Sequence, residues 1–292
     1  SVAIPLSPEH VRRILAESPE PFALANRDKR AALAHFQPDG VLISHGPVRA
    51  QRRRLNEAVL DTGQPLHRLA QDITSKVRDE VALLMADADR TGHLYWDSYS
   101  RAFWRIVRRT VLGDAARDDH RVTDLLAVLR RNANWAYLRP RRTDVHRQFM
   151  NRLQTYLRAA EPGSLAGVLA ATPADEATRP DGQVPQWLFA FDAAGIAAFR
   201  TLAVLATHPG HAARAYDELA GRDLSRAQHL PYLRSCVLES LRLWPTTLAV
   251  LRDSTTETGW DGAVMPAGTT VIIVSSFFHR DGQTVAHADH FT

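Results

Sequence analysis

The chain has 292 residues, 45% hydrophobic and 23% charged, enough for one large core or two smaller ones and unlike a disordered or fibrous composition. Its formal charge of +4 suits an acidic protein partner without demanding nucleic acid, and the only lysines among its basic residues are Lys29 and Lys76. A single cysteine, Cys236, excludes an internal disulfide framework and points to a reducing compartment, the cytoplasm.

Val2 to Leu6 reads as a short strand. Ser7-Pro8-Glu9 supplies a capping hydroxyl, a proline at the first helical position and an acid in the first turn, so a helix is expected to about Glu17. Pro19 and Pro21 open an irregular stretch with a short helix around Asp28 to Phe36. A very basic helix is predicted from Pro47 to Leu60, and others over about Pro65–Ala88, Tyr95–Leu112, Asp119–Ala136 and Arg142–Ala160. Gly163 to Gly182 reads as loop-rich, with Pro173 and Pro180.

From Pro185 a long apolar helix runs to His208-Pro209. Its stretch from Trp187 to Ala206 is nearly long enough to cross a membrane, but Asp192 and Arg200 interrupt it, so a buried core helix is expected. Another helix follows to Leu219, and then one through Leu238-Glu239-Ser240-Leu241-Arg242-Leu243. Glu239 and Arg242 share a face there, beside the apolar stripe of Leu230, Leu233, Val237 and Leu241. After Pro245, Ala249–Arg252, Glu257–Trp260, Ala263–Met265 and Thr269–Val274 alternate as strands, with turns at Asp261-Gly262 and Pro266-Ala267-Gly268. The chain is mainly α with a small β region.

This order of features resembles the cytochrome P450 family of heme-thiolate enzymes: a basic helix, an apolar helix with one acid, a His-Pro break, Glu-x-x-Arg, and a Pro-linked β region. The resemblance spans nearly the whole chain and implies a single, incomplete P450 domain over residues 1–292. The family's first strands and A helix are expected before Ser1. The heme-ligand region, with the axial Cys, is expected beyond Thr292, so neither a metal ligand nor activity is expected of this chain alone. Cys236 lies within the Glu-x-x-Arg helix and is expected to be a core thiol.

The resemblance gives Glu239 and Arg242 a structural role, bracing the region beneath the heme. It makes Pro47–Leu60 the family's C helix, with Arg53, and Arg49 in place of the usual Trp, His or Gln, as ligands of a heme propionate. Arg252 and, more weakly, His45 join them, whereas Arg52 and Arg54 are expected on a solvated face. Two alignments of the apolar helix are open, one matching Ala194-Gly195 to the family's Gly pair, the other aligning Ala190-Phe191-Asp192-Ala193. The second keeps the helix at family length. Asp192 then takes the distal acid position, while Ala193 replaces the alcohol that helps deliver protons during oxygen activation. Phe191, Ala190, Ala194, Leu248 and Val250 are expected in the substrate pocket.

The implied protein is a soluble, bacterial-type, monomeric cytoplasmic monooxygenase containing heme b. It oxidises a small organic substrate, in secondary metabolism, with O2 and electrons from a ferredoxin or flavin partner; no nucleic acid and no membrane are expected. A second reading, prompted by Ala193, is a peroxide-driven or non-oxygenating variant. A remote third is a heme-free basic helical module that binds nucleic acid through Arg49–Arg54 and Arg139–Arg142.

Overall fold

The computed structural model describes residues 1–292. Twelve helices carry most of the chain: α1 Pro8–Ala16, α2 Arg27–Leu33, α3 Gly46–Val59, α4 Ala70–Thr91, α5 Trp96–Leu112, α6 His120–Ala133, α7 Thr143–Ala159, α8 Leu165–Ala171, α9 Val184–Thr207, α10 Pro209–Leu219, α11 Pro231–Leu243 and α12 Ser275–His279. The six strands are β1 Val2–Ala3, β2 Phe22–Ala23, β3 Ala249–Ser254, β4 Thr258–Trp260, β5 Ala263–Met265 and β6 Thr270–Val274. The expected start signal of α1 operates: Ser7 Oγ accepts from the Glu9 amide at 3.1 Å with Pro8 opening the helix. At α2 the structure adds a cap not named from sequence, Asn26, which accepts from the Lys29 amide.

Two elements depart from the sequence expectation. The loop-rich stretch between Gly163 and Gly182, where the sequence predicts no helix, contains α8, capped by Ser164 and burying Leu165, Ala166, Val168 and Leu169. Seven residues are too few to form a helix alone, so packing against α5 and α7 decides the structure. The second is β2, whose two residues pair antiparallel with Asp253 and Ser254 of β3 and are ordered by that partner.

The main core joins Leu55 and Val59 of α3, Val111 of α5, Leu129 of α6, Phe149 of α7 and Trp187 of α9. Beside it, Glu80 of α4 is 1% exposed and receives Arg109 from α5 at 3.1 Å and Arg117 at 2.6 Å. One buried carboxylate is thereby matched by two guanidinium groups. The larger sheet has the order β1-β6-β3-β2, parallel only at β1–β6. The hairpin β4–β5 turns at Asp261-Gly262, both at positive φ, as a two-residue loop requires.

Helix α9 contacts α5, α10 and α11, but it is not buried all round. Trp187, Leu188, Ala197 and Val204 face the core, whereas Ala190 and Ala194 are exposed. The expected buried core helix is buried on one side, and an open apolar stripe remains on the other. Gly195 sits on the packed side, where an added Cβ would lie 2.7 Å from the Phe103 ring of α5. Gly195→Ala is therefore expected to cost about 1–3 kcal/mol through overpacking, read as a lower denaturant midpoint with an unchanged slope.

Candidate heme-edge and distal site

Arg242 is the most heavily bonded side chain of the site. Its fork grips Glu239 at 2.6 and 2.8 Å. The same guanidinium donates to the carbonyls of His279 and Ala288 at 2.7 Å, and of His287 and His290 at 2.9 Å. The planar fork on α11 thus binds a carboxylate and gathers the segment after α12 together. Hydrogen bonds from Arg242 hold the Glu239 carboxyl below its ordinary range. Cys236, one turn earlier, is buried against Val204, Leu205, Leu243 and Phe291, and burial pushes its thiol up. It is a packing residue rather than a thiolate ligand.

A cleft of about 300 Å³ is lined by Ala23, Leu24 and Ala25, by His45 at the entry to α3, and by Arg49. Arg49 Nε is buried with no hydrogen-bond partner. Beside the cleft, Arg252 of β3 lies on the strand face shared with Val250, Val271 and Ile273. Its guanidinium reaches only neutral oxygens: Ser18 Oγ at 3.3 Å, the Leu24 carbonyl at 3.4 Å and the Leu251 carbonyl at 2.9 Å. Burial lowers the pKa of both arginines, with Arg53 adding to the effect at Arg49 and Glu57 partly opposing it. Partly desolvated cations that hydrogen-bond no carboxylate fit an anionic ligand edge, so the donor set here fits heme propionates.

The other expected propionate ligands are placed differently. Arg53 is exposed and donates to Glu57 at 2.6 Å. His45 is exposed with its Nε2 3.5 Å from Arg30. Arg52, expected in solvent, is instead buried and bonds Asp39 at 3.1 Å, Ser44 at 2.8 Å and the Thr178 carbonyl at 3.2 Å. The α3 face carrying Arg52 also carries Leu55, Asn56 and Val59, so it packs inward. Arg54 is exposed, as expected.

On α9, Asp192 is partly buried and accepts from Arg130 of α6 at 2.6 Å. Arg130 also stacks over the Phe189 ring at 4.9 Å. The sequence reading missed Arg130, which lies 62 residues from its partner, with no local pattern that joins them. Ala193 carries no hydroxyl, and Thr201, further along α9, spends its own on the Ala197 carbonyl. Of the expected pocket residues, Ala190, Ala194 and Leu248 are exposed. Phe191 packs on the main core, and Val250 on the cluster of Ile14, Phe22, Val271 and Ile273.

Residues 192–292 match the family model for cytochrome P450. A rice relative, cytochrome P450 734A5 of Oryza sativa subsp. japonica, is 38% identical over 88 residues, covering 28% of this chain and 16% of that protein. The probable mitochondrial cytochrome P450 12c1 of Drosophila melanogaster is 37% identical over 62 residues, 21% of this chain and 12% of that protein. The chain thus spans well under two thirds of these curated relatives. Among solved structures, a cytochrome P450 (CYP102L1) superposes with a TM-score of 0.81 at 16% identity, over all of this chain and 72% of that one. Residues 192–292 thus match the cytochrome P450 family in sequence, and the whole chain shares the fold of solved cytochrome P450 structures.

Proposed function

We propose that the full-length protein is a heme-dependent monooxygenase acting on a small organic substrate. Family members bind heme b. The observation that carries the reading is the pair of cations that hydrogen-bond no carboxylate, Arg49 with its buried unpartnered Nε and Arg252 with neutral partners alone. Arg49 and Arg252 hold the propionate edge, and the apolar stripe of Ala190 and Ala194 borders the substrate space. Arg242 fixes the segment from His279 to His290. Heme, when bound, supplies the oxidising chemistry, and Asp192 is the side chain on α9 able to accept and pass a proton beside it.

Ferredoxin or flavin electron donors, a monomeric state, a bacterial source, a cytoplasmic location and a role in secondary metabolism belong to this reading. So does the absence of membrane association, although α9 lies within a stretch long and apolar enough to span one. In the fold that helix is held among α5, α10 and α11, which favours a role as a central packing helix. The absence of a hydroxyl at Ala193 favours one second reading, a peroxide-driven or non-oxygenating variant. The nucleic-acid reading loses support because the basic run divides its duties: Arg52 is buried and Arg53 is paired with Glu57.

The test is the reduced carbon-monoxide difference spectrum of the full-length protein. A thiolate-ligated Soret shift is expected, and its absence would sink the proposal. The double variant Arg49→Gln, Arg252→Gln should weaken heme retention by roughly 10²-fold, the size expected for losing two charge-assisted contacts. Retention at the wild-type level would remove these residues from the heme edge.

A further inference from the structure

Lys29 stands beside the same cleft with no established task. Its Nζ donates to the Leu24 carbonyl at 3.3 Å, the carbonyl that Arg252 reaches at 3.4 Å. Two cations from separate elements, α2 and β3, therefore converge on one neutral oxygen whose residue lines the cleft below Arg49. The neighbouring acids do not compensate them. Asp253 accepts from Thr270 at 2.8 Å and from the Arg27 amide at 3.2 Å, and lies 3.8 Å from Arg30. Asp28 is taken by Tyr137, and Glu20 lines the cleft as an exposed side chain. One carbonyl cannot balance two desolvated charges. Burial, then Arg252, lowers the Lys29 pKa, the response of an ammonium that lacks an anion.

We propose that Lys29 is a third cation for the anionic edge bound by Arg49 and Arg252. This rests on the heme reading above. Lys29 lies beyond the Arg-rich α3 segment, and the short α2 that carries it is positioned by the Asn26 cap, which accepts from the Lys29 amide itself at 2.8 Å. Cap and ligand contact are thus joined in one residue.

The test uses the full-length protein with and without heme, probed by lysine-selective acylation and peptide mass mapping. Heme should slow acylation of Lys29 by about tenfold, the size of one charge-assisted hydrogen bond formed. Lys76, which is buried and bonded to the Gly163 carbonyl, should react alike in both forms and serves as the internal reference. Transfer of heme to an apomyoglobin trap should be about tenfold faster from Lys29→Met and near the wild-type rate from Lys29→Arg. A normal Soret band with Lys29 equally reactive in both forms, and with Lys29→Met releasing heme at the wild-type rate, overturns the role of Lys29 alone. A wild-type protein that takes up no heme overturns the heme reading with it.

Discussion

Arg242→Leu should destabilise the fold by about 2–4 kcal/mol, the usual cost of removing one partner from a buried ion pair, reduced because this pair is partly hydrated. The side chains of Arg242 and Glu239 are 17% and 15% exposed. The variant would leave the Glu239 carboxylate without its guanidinium, and the carbonyls of His279, His287, Ala288 and His290 without a shared donor. Chemical denaturation of the full-length protein is the measurement. Arg242→Lys should fall between the two, since an ammonium keeps the charge but cannot span a carboxylate and four carbonyls. Glu239→Gln should cost less than Arg242→Leu, because the carbonyl contacts survive. A midpoint for Arg242→Leu within error of wild type would mean that the segment after α12 is held by something else.

The same pair sets an acid limit. Arg242 keeps the folded-state Glu239 below its ordinary value of 4.5. Its contribution is therefore complete above that value and is lost as pH falls through the lower, folded one. In Glu239→Gln this acid-side slope should shrink.

Much of this brace was legible in the sequence because both partners lie on one helix, three residues apart, where spacing alone dictates contact. The helices with long apolar periods were legible for the same reason, as was the Asp261-Gly262 turn. What the sequence hid were contacts between distant elements. Arg52, Arg53 and Arg54 are chemically identical neighbours, and only the rotation of α3 against the Asp39 and Thr178 loops decides that Arg52 is the buried one. The i,i+4 spacing placed Arg49 and Arg53 on one face, yet Glu57 lies one further turn along and engages Arg53. Arg252 was nameable as an arginine seven residues beyond Pro245. That it has no carboxylate partner depends on β2 docking beside β3, which no two-residue segment announces.

Asp192→Asn should lower oxygen-driven turnover of the full-length enzyme by about 10²-fold with little change in KM, the size expected for removing a positioned proton donor. Asp192 is held by Arg130 at 2.6 Å, and Ala193 offers no hydroxyl to share the task. Proton delivery would then depend on the carboxylate turning between α6 and the open stripe of α9. Arg130→Gln should loosen that grip and change the solvent isotope effect on turnover, while Asp192→Asn should enlarge it. A purely structural ion pair would behave otherwise: both variants would lower the denaturation midpoint and leave the isotope effect alone. The reaction class is separated by the oxidant. If peroxide drives the chemistry, its protons arrive with the reagent, and Asp192→Asn should slow peroxide-supported turnover far less than the oxygen-driven reaction. Ala193→Thr supplies the missing hydroxyl and should raise the fraction of reducing equivalents recovered in product only if oxygen is the natural oxidant. Wild-type oxygen-driven turnover in Asp192→Asn would take the proton-relay role away from α9.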